Sequence, residues 1–184
     1  MDTAILIPVL LWLGVVSWFD IREHEIPHSA WVIIPLVLAI IYQGVLGNWS
    51  LVLFAVLISL ISERLFLSRY PRVMPFMSVR TWLPILIVSL LWSVQSFPVA
   101  TLSIFAFWVA WEFGWWGGAD ATAAICLFLL LPAAGLLFGF VLVHLITVLT
   151  LAVHSWITTK KFQIHRVPGL PLLLISTLVV AYLS

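Results

Sequence analysis

Apolar residues run along this chain in long, almost unbroken stretches separated by short polar turns. The stretches cover residues 3–19, 29–46, 50–67, 82–96, 98–113, 121–131, 132–154 and 168–183. None alternates polar and apolar residues at the period of two that a barrel strand needs, so helices are expected throughout. A helix crossing the hydrocarbon core takes about 20 apolar residues, with a range of about 17–25. Several of these runs fall short of that length. The stretch 82–113, broken at Gln95–Pro98, reads either as two short spans or as a re-entrant hairpin. Residues 121–154 would fit one long helix, but Pro132, Gly135 and Gly139 offer a break there, and two helices are expected. The pattern thus predicts an all-α, polytopic transmembrane helix bundle of about eight segments, with 1–184 forming a single domain.

Composition sharpens this reading. Of the 184 residues, 64% are hydrophobic and 8% are charged, against roughly 45–50% and about 25% in soluble domains. Fifteen charges, eight Lys+Arg and seven Asp+Glu, are too few to clothe a water-facing surface. A soluble enzyme and a nucleic-acid binder are therefore excluded, and the lipid bilayer is an expected partner. The N-terminal run lacks a basic leading segment and a small-residue cleavage signature, and reads as a retained first span. The one cysteine, Cys126, excludes a disulfide framework or thiolate cluster within the chain. His24, His28, His154 and His165 have no metal-ligand spacing, so a metal centre such as a catalytic zinc is not expected.

The positions of the charges give an orientation. Arg22 follows the first run; Arg64 lies near the end of the third, with Arg69, Arg72 and Arg80 after it; Lys160, Lys161 and Arg166 follow the seventh. With eight crossings all of them lie on one side, which the positive-inside rule makes the cytoplasm. Both termini then face outward.

Two acids stand out against this background. Asp20 closes the first run and Asp120 opens the sixth, with four segments between them, so both are expected at the same membrane face. An acid at the membrane boundary usually turns to a bundle interior or a wet cavity. An ordinary helix cap or headgroup anchor would suit the same positions. Two such carboxyls close together share a proton, one member accepting a proton from water while the other donates to a carbonyl oxygen. Pro27 ends the turn after Asp20 and suits the start of a new helix. Gly117 and Gly118, just ahead of Asp120, are expected to supply backbone freedom and close approach for an extended peptide.

The local sequences carry a resemblance. Asp20 is followed six and seven residues later by Ile26 and Pro27, and Asp120 is preceded by Gly117, Gly118 and Ala119. This pairing resembles the type IV prepilin and archaeal preflagellin peptidases, membrane aspartyl proteases of the GxGD type. Ala119 stands in place of the motif's second glycine. Pro168 and Pro171 look like the Pro-rich opening of the family's last helix. About 100 residues separate the two acids, more than the family usually has, which marks 82–113 as an inserted pair added to a six-helix core. The resemblance implies an endopeptidase of the cytoplasmic membrane, without cofactor. It would remove the short basic leader of pilin-like or archaellin precursors at the cytoplasmic face, with Asp20 and Asp120 catalytic.

Glu23, Glu25 and Glu112 would attract the leader's basic residues. A solvated loop is the plainer role for the first two. Trp111, Trp115 and Trp116 read as interface anchors, with Trp115 and Trp116 also suited to the substrate entry. A small proton- or cation-coupled transporter, or a non-catalytic membrane scaffold, is the alternative for the chain as a whole.

Overall fold

The computed structural model describes residues 3–23, 29–67, 79–114, 116–159 and 169–183. Every regular element among the described residues is helical: α1 (Thr3–Glu23), a π-turn (Ser29–Ile33) that runs into α2 (Ile34–Val45), α3 (Trp49–Leu67), α4 (Val79–Ser96), α5 (Pro98–Glu112), α6 (Gly118–Leu130), α7 (Ala134–Thr159) and α8 (Gly169–Leu183). Each of the eight apolar runs is thus one helix. The stretch 82–113 is two helices parted at Phe97, because Pro98 has no N–H to continue the first ladder and sits instead at the first turn of the second. The break expected near Pro132 lies at residues 131–133, whereas Gly135 and Gly139 lie inside α7.

By contact, the helices group into two compact units, one of Met1–Trp31 with Ala133–Ser184 and the other of Val32–Pro132. In the first, α8 packs against both α1 and α7. Gly135 and Gly139 face Val180 of α8, and a Cβ on Gly139 would come within 3.0 Å of that side chain. Small residues let two helices approach closely in this way. His144, further along α7, stacks on Phe140 with ring centroids 5.7 Å apart.

In the second unit, α6 lies against α2 and α5, and α3 touches α2, α4 and α5. Every residue of α6 from Asp120 to Leu129 is buried. That suits a helix apolar on all faces, which belongs inside a bundle. The α2–α3 turn closes on Gly47, which holds φ 78°. The Gln43 side-chain amide, buried in this unit, donates to the Leu129 carbonyl at the end of α6. Asn48 Nδ2 donates in turn to Gln43 Oε1 at 2.6 Å. Gln43→Ala removes both links and leaves the Leu129 carbonyl without its donor. It is expected to lower thermal stability by about 1 kcal/mol, the net worth of a typical intramolecular hydrogen bond. Gln43→Glu, which keeps the acceptor for Asn48 but loses the amide donor, separates the two contributions.

Two of the helices, Thr3–Arg22 and Ala134–Thr158, are long and apolar enough to cross a membrane. Neither is a buried core helix: in their most apolar windows only 22% and 11% of residues are buried. The exposed side chains along them include Leu11, Trp18, Phe138 and Ile157.

Candidate active site

Asp20 lies in the last turn of α1. The buried residues of this helix are Val9, Leu13, Val16 and Ser17, and their spacing of three and four residues traces one inward stripe. Asp20 stands four residues beyond Val16 and three beyond Ser17, so it continues that stripe and is itself half-buried. Its flanks are held by aromatic contacts. Phe19 packs on Trp31 with ring centroids 5.8 Å apart, and the Trp31 carbonyl accepts a 2.8 Å hydrogen bond from the Trp12 indole. The Arg22 guanidinium lies 5.8 Å from the centre of the Trp18 ring. The Ser17 hydroxyl, one turn before Asp20, is buried and has no hydrogen-bond partner among the described residues.

Asp120 lies in the first turn of α6 and is buried, with 7% of its surface exposed. A carboxylate there faces the positive end of the helix dipole and suits the third helical position. Gly117 caps the helix with φ −68° and ψ 146°, ordinary extended backbone open to any residue. The expectation that Gly117 and Gly118 supply unusual backbone freedom is therefore corrected. In this turn the positive φ belongs to Gly114, at 71°, where it closes α5. The reason for Gly118 is steric: a Cβ there would meet the Trp111 indole at 3.1–3.2 Å, nearer than ordinary contact allows. Ala119, which follows, is half-buried and α-helical, so this position needs no glycine backbone.

Aromatic rings support the turn. Trp116 packs on Phe107 at 4.9 Å between centroids, and Phe107 stacks on Phe128 of α6 at 5.7 Å. Trp111 and Trp116 are thus partly buried and pack within this turn. Thr122 Oγ1 donates to the Gly118 carbonyl at 2.8 Å, bracing the first turn of α6. Beside it an apolar groove of about 190 Å³ runs between α2 and α3, lined by Leu36, Val37, Val56, Trp111, Thr122 and Ile125 among others. The start of α2, the second half of α3, the end of α5 and the start of α6 therefore meet at one end of this unit, the end that carries Asp120.

Among the other expected site residues, Glu112 is exposed at the end of α5 and accepts a 3.2 Å hydrogen bond from the Trp108 indole. Pro171 is half-buried in the first turn of α8. Ile26, Pro27, Glu25, Trp115 and Pro168 lie outside the described residues, as does the side chain of Glu23. The two acids belong to different units, Asp20 to the first and Asp120 to the second. Among the described residues, no three His, Cys, Asp or Glu side chains gather so as to hold a metal ion. The seat of Trp111 on Gly118 has no signal in the sequence, because it is a tertiary fact about helices that are apolar on every face.

No protein-family model, curated protein or solved structure matches this chain.

Proposed function

We propose that this chain is a multi-pass membrane aspartyl endopeptidase that removes the short basic leader of pilin-like or archaellin precursors at the cytoplasmic face. The observation that carries the reading is that both carboxyls turn inward: Asp20 extends the buried stripe of α1, and Asp120 opens a helix buried along its length. An acid that only anchored a helix end would point toward headgroups. Inward acids in an apolar chain mark a wet, functional cavity.

The bilayer reading rests on exposed surface. Leu11, Phe138, Val141 and Ile157 are each more than half exposed, a density of apolar surface that belongs in lipid rather than water. The clustering of Arg22 and the basic residues after the third and seventh apolar runs supports a cytoplasmic active face by the positive-inside rule.

In the mechanism, the two carboxyls share one proton. The ionised member takes a proton from a water molecule, whose oxygen attacks the scissile carbonyl carbon while the protonated member donates to the carbonyl oxygen. The tetrahedral intermediate collapses as the C–N bond breaks and the leaving nitrogen takes up a proton, giving one carboxyl and one amine product. Glu112, exposed at the end of α5, together with Glu23 and Glu25, supplies negative potential for the leader's basic residues.

The test is direct. Purified protein mixed with a panel of pilin-type precursors is expected to release each leader at a single bond just before the apolar helix, as read by mass spectrometry. A folded protein that cuts none of the panel, yet moves protons or cations across sealed vesicles, would establish the transporter reading instead.

A further inference from the structure

We propose that Trp111 is a positioning residue for Asp120: its indole, seated on Gly118, sets where the first turn of α6 holds the acid. The proposal rests on the peptidase reading, since it concerns how that reading's second acid is placed.

The seat is close. A Cβ on Gly118 would meet Nε1, Cε2 and Cζ2 of Trp111 at 3.1, 3.2 and 3.2 Å, so the ring lies directly on the backbone of the turn. The ring's own base is fixed, because the Trp111 carbonyl accepts a 2.8 Å hydrogen bond from Gly114, the residue whose positive φ ends α5. On the α6 side, the Ala121 N–H donates to the Gly117 carbonyl at 3.0 Å and Thr122 Oγ1 donates to the Gly118 carbonyl. Gly118 therefore cannot shift without carrying Asp120, two residues on. Trp111 also walls the apolar groove with Leu36 and Ile125. The indole is thus wedged between that groove and the turn bearing the acid. Packed elements move as units, so a few tenths of an ångström at Gly118 become a displacement of the carboxyl.

Trp111→Ala removes the wedge. A misplacement near 1 Å at a catalytic group costs about 100-fold, and that fall is expected in kcat, with KM for the precursor changed little. Gly118→Ala is expected to lower kcat by pushing the turn off the ring. Adding Trp111→Phe, a smaller ring, should restore much of the loss in the Gly118→Ala background. Losses from two independent structural defects would instead add. A second readout needs no cleavage: modification of Asp120 by a hydrophobic carbodiimide, mapped by peptide mass. Its rate is expected to change several-fold in Trp111→Ala and to return toward wild type in the Gly118→Ala/Trp111→Phe pair.

If Trp111→Ala melts with the wild-type protein and keeps both the wild-type kcat and the wild-type modification rate, the proposal is overturned. If Trp111→Ala does not fold, the Gly118→Ala pair decides, and additive losses there overturn it. A wild-type protein that cuts no precursor ends the peptidase reading. The carbodiimide rates would still show whether Trp111 sets the position of Asp120.

Discussion

Asp20→Asn and Asp120→Asn are each expected to abolish leader removal, lowering the rate by about 1,000-fold or more while leaving the protein folded. Asparagine matches aspartate in shape and keeps a hydrogen-bonding carbonyl, but it can neither take a proton from water nor deliver one to a carbonyl oxygen. Positioned acid–base catalysis alone accounts for roughly 10²–10⁴-fold in rate. In the proposed mechanism both roles need the pair, so losing either member is expected to remove both. The double variant should therefore be no slower than the slower single one, because residues acting as a unit are strongly non-additive.

Stability should move differently. Asp20 is half-buried on an inward apolar stripe, and a neutral amide there costs less to desolvate than a carboxylate, so Asp20→Asn should melt at or above the wild type. Asp120→Asn gives up a carboxylate at a helix start, worth about 0.3–1 kcal/mol, and should melt slightly lower. Loss of cleavage without loss of stability is the signature of a functional carboxyl, which natural proteins retain at the expense of stability. Leader release and melting, measured on the same preparations, check both halves. Two variants that cleave at the wild-type rate would falsify the aspartyl mechanism.

The secondary structure of this chain was almost fully legible because its punctuation is blunt. Apolar runs stop at charges, Pro and Gly, and each run became one helix. The bounds drifted where no breaker was present. The first run was expected to stop at residue 19, but nothing there opposes helix and α1 continues to Glu23. The seventh was expected to stop at residue 154, and α7 continues to Thr159. The sixth starts three residues early, at Gly118, because glycine is tolerated in a first turn whose N–H groups have no intrahelical partner anyway.

Side-chain direction was not legible. In a soluble helix the polar face reveals the buried one, but α1 is apolar all round as far as Phe19, so nothing in its sequence marks positions 9, 13 and 16 as the inward stripe that Asp20 continues. The candidate site divides in the same way. Asp20 and Asp120 were found because an acid is conspicuous in such a chain, whereas the partner of Gly118 was hidden. A glycine needed for left-handed backbone and a glycine needed to seat a ring look alike in sequence, and only packing shows that Gly114 is the first kind and Gly118 the second.

Ile146→Arg should sharply reduce the membrane-integrated fraction of the protein, and here the bilayer and aqueous readings predict opposite signs. Ile146 lies at the middle of α7, is 55% exposed, and has Leu142, Leu145 and Leu149 exposed around it. In water, an exposed isoleucine replaced by arginine would be neutral within about 0.5 kcal/mol, and the variant would be more soluble. In lipid, arginine at the centre of a span costs about 2.5–3.5 kcal/mol on insertion scales, which corresponds to roughly 70- to 400-fold in the inserted-to-excluded ratio. A side chain at mid-helix is also too far from either headgroup layer to escape by snorkelling, unlike one near a helix end. Ile146→Ala is the control, since it keeps the position apolar and should insert nearly as well as wild type. Integration can be scored as the fraction resisting alkaline extraction from membranes. An Ile146→Arg protein that stays soluble, folded and as stable as wild type would remove the bilayer, and with it the site at which a membrane-held precursor could be cut.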